Sequence, residues 1–514
     1  MTGRRLRLST LLAFAGFFLI GAGWAIALPW DGGPDEQAHI TRAVGVVSGD
    51  AFAEPVFLGG DSRYPGAKQH VPVGLVHHSP PCFAWKPYVS AACMPPTPVR
   101  ARETTVTGTT EGRYPPTYYA LVGLPLRWWP DDTGLLLARL VSSAASAGFL
   151  AFAVRAVLGW VRRPMMLTGL IVVTTPMTMS LAGVINPNGL EITAAIALWT
   201  ALIPLFLDDR QPDRRLLILA AVSASVVATV RPAGSMFVVM SLGVLTLTAG
   251  WSRIRRLAKS RGMWVMVVVA GMASVASAVW TLAMGAAHMV PQPEHYTPAD
   301  AMRILAADRM SFYLKSMVGI FGWVDTEPPG AFYATWFGIA GFVMISALVA
   351  GRLVDKVRIL LIVAVSFAPP VVTDVIGSKS QGLEVQGRYI LAGLVGAGLL
   401  AGYVIDDRGL FSQARTRSVI GWVAGPALVA QIAALAYTMI RFQHGLWQAV
   451  PAVNPFSGDW HPRFGSATAL VTAIAGLAAL AALMRLAIRQ YAAEGSAPAP
   501  ALEERVGDAH AHSE

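Results

Sequence analysis

Charge is what this sequence has least of. Asp, Glu, Lys and Arg together make up 14% of its 514 residues, roughly half the share in ordinary soluble domains. A soluble chain of this size needs far more charge to cover its surface, which excludes a soluble enzyme as well as a disordered or fibrous chain. Cysteine is nearly missing: the two present are Cys82 and Cys93. Without well-spaced histidines they do not make a metal-ligand set. The chain also has no Walker A loop, no dinucleotide fingerprint and no acid–x–acid motif beside an apolar run. No cofactor is expected, a divalent metal has no support, and activated substrate has to come from elsewhere. No internal repeat is evident, which weakens an inverted-repeat transporter.

What is there is apolar. Hydrophobic residues make up 54% of the chain, mean hydropathy is +0.52, and Gly (49), Met (19) and Trp (15) are plentiful. The net charge of +10 suggests nucleic acid only until the basic residues are located. They lie between apolar runs, so no nucleic-acid partner is expected and membrane lipids are. A bilayer-crossing helix needs about 20 apolar residues. Candidates fall near 9–29, 133–158, 164–185, 190–208, 215–230, 234–250, 263–286, 332–350, 357–377, 389–405, 418–440 and 466–488. The fold class is an all-α polytopic membrane protein with about twelve transmembrane helices.

Basic residues set the expected orientation. Arg4, Arg5 and Arg7 precede the first span, and every second connection after it is basic: Arg162-Arg163, Arg214-Arg215, Arg253 to Arg261, Arg352 to Arg358 and Arg408 to Arg417. These segments hold more than half of the 40 Lys and Arg. Both termini are then cytoplasmic, and the chain is a multi-pass protein of the cell (inner or plasma) membrane. Residues 1–29 form the N-terminus and first span, read as retained although a signal peptide has to be weighed. Residues 30–132 form a mixed extracytoplasmic loop. Residues 133–488 form the multi-span domain, with further outer loops near 287–331 and 441–465, and 489–514 a disordered tail. The run Thr117–Trp129 is too short to span and reads as an interfacial helix anchored by Trp128 and Trp129. Cys82 and Cys93 share the oxidising side, where a disulfide is expected.

Chemistry is best placed at PDEQAH, residues 34–39, directly after the first span. A carboxylate there can meet a lipid head group while partly desolvated, which makes it a better general base. If the segment is helical, Asp35, His39 and Arg42 share one face. The competing reading is plainer: Asp35 caps a helix, Glu36 favours its first turn, and neither does chemistry. A second group is charged residues within or at the ends of apolar runs, namely Arg139, Glu191, Arg231, Asp374 and Arg388. Intramembrane charge is costly, so such residues face a cavity or one another. Arginine suits bidentate binding of phosphate, whereas simple Arg–carboxylate pairing between helices explains each one singly.

PDEQAH, YPPTYYAL (114–121), the NPNG turn (186–189) and VQGRY (385–389) together resemble a bacterial family of multi-pass membrane proteins of unknown function, grouped with the GT-C glycosyltransferase superfamily. The acidic pair is also similar to the Asp-Glu of protein O-mannosyltransferases. The resemblance covers roughly residues 10–490. It implies a GT-C-like architecture and transfer of a sugar from a polyprenyl-phosphate donor to a glycan or glycolipid acceptor of the cell envelope, with inversion. It makes Asp35 the catalytic carboxylate and Glu36 its neighbour in acceptor positioning. His39, Arg42, Arg139, Arg231, Arg388 and Tyr389 become substrate-binding candidates, with Arg231 and Arg388 for the donor phosphate. Two rivals stay open: a transporter or flippase of lipid-linked or anionic precursors, and a noncatalytic envelope-assembly scaffold.

Overall fold

A computed structural model describes residues 3–59, 64–77, 79–95, 102–287, 294–446 and 454–495. Of the expected disordered tail, 489–514, residues 489–495 continue the last helix instead, and the rest lies outside the described residues. The chain is a mostly helical membrane protein. Among the described residues, eight helices are long and apolar enough to cross a membrane. In chain order the elements that matter here begin with α1 (Gly3–Ala27) and α2 (Glu36–Ser48). The three strands β1 (Pro55–Leu58), β2 (Tyr64–Pro72) and β3 (Thr104–Thr109) follow. Next come α3 (Thr117–Trp128), α4 (Asp132–Arg155), α5 (Met166–Val173), α6 (Pro176–Ala182), α7 (Pro187–Leu207), α8 (Arg214–Val230) and α9 (Gly234–Thr248). The rest are α10 (Trp251–Ala258), α11 (Arg261–Ala283), α12 (Pro298–Ile304), α13 (Met310–Gly319), α14 (Gly330–Ala350), α15 (Leu353–Ile376), α16 (Ser378–Gln381), α17 (Leu391–Asp407), α18 (Gln413–His444) and α19 (Ser466–Gly495).

The twelve expected spans divide into three kinds. Eight correspond to the long helices α1, α4, α7, α11, α14, α15, α18 and α19. Three (215–230, 234–250 and 389–405) are the helices α8, α9 and α17 of 17, 15 and 17 residues, which reach only about 23–26 Å at 1.5 Å per residue. The twelfth, 164–185, is not one helix but the pair α5 and α6. Pro176 is the cause: it disfavours a helical conformation in the residue before it. Thr175 is accordingly extended, and its hydroxyl caps α6 by accepting the Thr178 N–H.

α7 is the central helix, buried along nearly its whole length. Asn186 caps it by accepting the Asn188 N–H, and Pro187 fills its first position, where a missing N–H costs nothing. α1 packs against α19 through small residues: a Cβ on Gly476 would lie 2.6 Å from the Gly16 carbonyl oxygen. The first connection folds into an antiparallel sheet, order β1-β2-β3. Its buried Gln69 lies against Gly45 of α2, where no side chain fits. Cys82 and Cys93 are joined, with Cα atoms 6.1 Å apart. Arg441 of α18 secures that loop by donating to the carbonyls of Phe83 and Val89 and to Asp325.

The basic connections gather at one end of the bundle. Arg163 pairs with Asp208 and Asp407, Asp355 with Arg358 and Arg408, and Arg256 with Asp209. Glu191 and Asp208 stand 17 positions apart along and just beyond α7, about 25 Å by helical rise. The PDEQAH segment, the NPNG turn and VQGRY meet at the opposite end.

Candidate active site

After α1 the chain makes a tight turn in which two aspartates, Asp31 and Asp35, take left-handed backbone conformations (φ 55° and 59°). Such positions cost on the order of 1–3 kcal/mol for non-glycine residues and persist only where the surroundings hold them. Here Asp31 is the holder. Its Oδ1 accepts the Gln37 N–H at 2.9 Å, and its carbonyl accepts the Trp323 indole N–H at 2.9 Å. Asp35 occupies the N-cap position of α2, yet its side chain makes no capping bond. Instead its carboxylate accepts from Arg388 Nη2 at 3.0 Å. The Asp35 side chain is 41% exposed and the guanidinium it meets only 4%.

Arg388 sits in a single tight turn, Gly387–Tyr389, laid directly on α13. A Cβ at Gly387 would overlap the Tyr313 carbonyl oxygen, and the Gly387 N–H donates to Ser316 Oγ at 2.8 Å. Close approach therefore demands glycine before the arginine. Arg388 also donates to the Tyr389 hydroxyl at 3.1 Å. Arg231, at the break between α8 and α9, pairs with the buried Glu191 at 3.0 Å, and Asn188 donates to the same carboxylate oxygen at 3.0 Å. Both guanidiniums lie over the Tyr389 ring, at 4.9 and 5.1 Å from its centroid.

These groups line a cavity of about 210 Å³, where Asp35, His39, Glu111, Arg231, Arg388 and Tyr389 converge. A neighbouring cavity of about 270 Å³ shares Tyr114, Arg231, Ala286 and Tyr389 with it and continues between apolar residues, among them Pro232, Met236, Phe237 and Pro370. One space is charged, the next is greasy, and Arg231 and Tyr389 stand at their junction. His39 Nδ1 lies 2.9 Å from the Tyr119 hydroxyl. Burial, with Arg231 and Arg388 adding, holds its imidazole well below the usual histidine range, so His39 is neutral near pH 7. Among the described residues no three His, Cys, Asp or Glu side chains cluster so as to hold a metal ion.

Of the residues expected at the site, Asp35, His39, Arg231, Arg388 and Tyr389 line the cavity. Glu36, Arg42 and Arg139 do not line it: Arg139 borders a separate cavity with Trp30, Trp460 and Arg463, and Glu36 and Arg42 are held in hydrogen bonds. Glu36 is fully buried, with Oε1 accepting from Arg139 Nε at 2.7 Å and the Ile185 N–H at 3.0 Å, and Oε2 accepting from Arg139 Nη2 at 2.5 Å. Arg139 spends its remaining donors on the carbonyls of Ala25, Leu28 and Pro29. This pair bolts α2 to the end of α1, to α4 and to the turn before α7. Arg42 donates to the carbonyls of Asp50, Ala51 and Tyr114 and holds the first connection together. The shared helical face fails because Asp35 precedes the helix and is not part of it.

Glu111 is a cavity residue that sequence reasoning missed. It follows β3 in a turn, and its Oε2 accepts from the hydroxyls of Thr109 and Thr110 at 2.8 and 2.5 Å. Burial raises its carboxyl above the usual range, and the charge of Asp35 adds to this. The available signal was an acid three residues ahead of YPPTYY, in a run otherwise made of threonine and glycine.

The chain matches the family described as "Predicted membrane protein (DUF2142)" over residues 18–397. Among solved structures it is similar to ArnT from Cupriavidus metallidurans. In the apo state the TM-score is 0.38 at 16% identity, covering 74% of this chain and 67% of that one. Bound to undecaprenyl phosphate the TM-score is 0.45 at 14% identity, covering 94% and 77%. No curated protein matches it. With most of its length inside the family match, the chain belongs to the DUF2142 membrane protein family.

Proposed function

We propose that this protein is a membrane glycosyltransferase of the GT-C kind, moving a sugar from a polyprenyl-phosphate carrier to a glycan or glycolipid acceptor on the extracytoplasmic side of a bacterial membrane. One observation carries the reading. An accessible carboxylate, freed from capping by a strained backbone, shares with the buried Arg388 and the partly buried Arg231 a cavity that runs on into an apolar trough. Arginines beside a trough suit a phosphate whose hydrocarbon chain lies in the trough. A carboxylate beside them suits a base for the incoming hydroxyl.

In this reading Asp35 takes the proton of the acceptor hydroxyl as its oxygen bonds to the anomeric carbon. The bond from that carbon to the phosphate oxygen breaks, and the electron pair leaves with polyprenyl phosphate. Attack opposite the leaving group inverts the anomeric centre. Arg231 and Arg388 stabilise the phosphate dianion as it separates. The incoming phosphate also competes with Asp35 for Arg388, which releases the carboxylate to act as a base. Purified protein incubated with a panel of polyprenyl-phosphate sugars and cell-envelope acceptors tests the reading. Transfer of radiolabelled sugar from one of them supports it. Binding of polyprenyl phosphate without transfer from any would turn it toward a carrier or scaffold.

A further inference from the structure

The two arginines and Asp35 account for a phosphate and a base, and leave other lining residues without a task. Glu111 and Gln386 are among them. Both threonine hydroxyls sit on Glu111 Oε2, and Oε1 takes no side-chain donor among the described residues. Gln386 lines the same space and likewise makes no side-chain hydrogen bond among them. A carboxylate held at one oxygen by two hydroxyls beside a polar cavity keeps its other oxygen for a group that donates. A lipid phosphate has nothing to donate to it, and the cations already answer the phosphate. Sugar hydroxyls are donors, and a buried polar group that pairs with one discriminates strongly against analogues lacking it.

We infer that Glu111, clamped by Thr109 and Thr110 in the cavity that Gln386 also lines, binds a hydroxyl of the transferred sugar and sets which sugar the protein accepts. This rests on the glycosyltransferase reading. The transferred sugar is favoured over a sugar of the acceptor because Glu111 and the arginines line one cavity. A ring attached to a phosphate held by those arginines lies within it.

The test uses full-length protein with its best polyprenyl-phosphate sugar, and a set of donors each lacking one hydroxyl. In the parent, one deoxy donor should lose about 10- to 100-fold in kcat/KM, the size expected for a hydrogen bond to a charged partner. Glu111→Ala should lose a similar factor with the complete donor and lose almost nothing further with that deoxy donor. Glu111→Gln, which keeps one acceptor oxygen, should fall in between, and Thr110→Val should mildly flatten the preference among sugars. Binding of undecaprenyl phosphate, which has no sugar, should be unchanged in all three variants. Equal, independent losses for every deoxy donor in parent and Glu111→Ala would overturn the inference, as would weakened undecaprenyl phosphate binding. Non-additivity seen with deoxy acceptors only would overturn its assignment to the transferred sugar. A parent without any transfer activity defeats the broader reading instead, so the two failures are distinguishable.

Discussion

Asp35 and Glu36 are neighbours in sequence with opposite surroundings. The first is half-exposed beside a guanidinium, and the second is sealed in a fully bonded pair. Asp35→Asn keeps the size of the side chain but removes its ability to take a proton. It should lower turnover on the order of 100- to 10,000-fold with unchanged expression, read by sugar transfer. An Asn variant as active as the parent would remove Asp35 from the chemistry. Glu36→Gln should act differently, leaving Arg139 buried without a counter-charge at a cost of about 3–5 kcal/mol. A large fall in thermal midpoint is the expected result, and an intact midpoint with lost transfer would return Glu36 to the chemistry. Asp31 gives a pH signature. Burial holds its carboxyl well above the usual range, and Glu36 and Asp35 add to this. The folded state thus keeps a proton that the unfolded state releases once pH passes the ordinary carboxylate range. Stability is lost as pH rises from there toward the raised value. Asp31→Asn still accepts the Gln37 N–H and should gain on the parent in thermal midpoint as pH is raised above the ordinary carboxylate range. A difference independent of pH would rule this out. The acid pair was legible because two carboxylates directly after an apolar run are expensive. How the pair divides its labour was not legible, since it turns on one left-handed φ at Asp35 that no neighbouring residue type announces.

At the scale of elements, long apolar runs gave away the eight full-length helices, because length and hydropathy are the properties a bilayer demands. The α5–α6 break was harder to read: the run from residue 164 to 185 stays apolar across it, and only Pro176 marks the interruption. Glu111 escaped for a related reason. A three-stranded sheet brings it under α2, and pairing of β2 with β3 over many intervening residues leaves no local pattern. The run Thr117–Trp129, expected as an interfacial helix, is helical as α3, with Trp128 and Trp129 exposed at its end. Which elements touch was invisible, and the α1–α19 contact shows why. It is built from Gly16, Gly23 and Gly476, residues whose value is the space they leave, as in other close helix pairs within membranes. Gly476→Val would drive its side chain against the Gly16 carbonyl oxygen and the Ile20 amide nitrogen, backbone atoms that cannot turn aside. A loss of about 1–3 kcal/mol follows from such overpacking, seen as a lower thermal midpoint in detergent. Gly271→Val, at a position with no atom close to the added carbon, is the control and should be near neutral. Equal midpoints for both variants would mean that α1 and α19 do not pack this tightly.

Across the whole molecule, charge is sorted to the two ends. The arginines of alternate connections pair with Asp208, Asp209, Asp355 and Asp407 at one end. Asp35, Glu191, Arg231 and Arg388 meet at the other. Between them α7 carries little polarity beyond Thr193 and Thr200, whose hydroxyls bond back to their own helix. That arrangement gives the protein two polar ends and an apolar middle, with no charged path joining the ends along α7. The bias of membrane insertion favours basic connections on the cytoplasmic side, so the cavity should face outward. Single cysteines test this, because Cys82 and Cys93 are bonded to each other and silent to a thiol reagent unless reduced. Phe52, exposed beside the site, and Lys259, exposed in the basic connection after α10, are suitable positions. In intact cells an impermeant maleimide should label Phe52→Cys and leave Lys259→Cys untouched until the membrane is opened. The reverse pattern would put Asp35 and its two arginines on the cytoplasmic side, where a donor presented outside could not reach them, and the proposed transfer would fail with the topology.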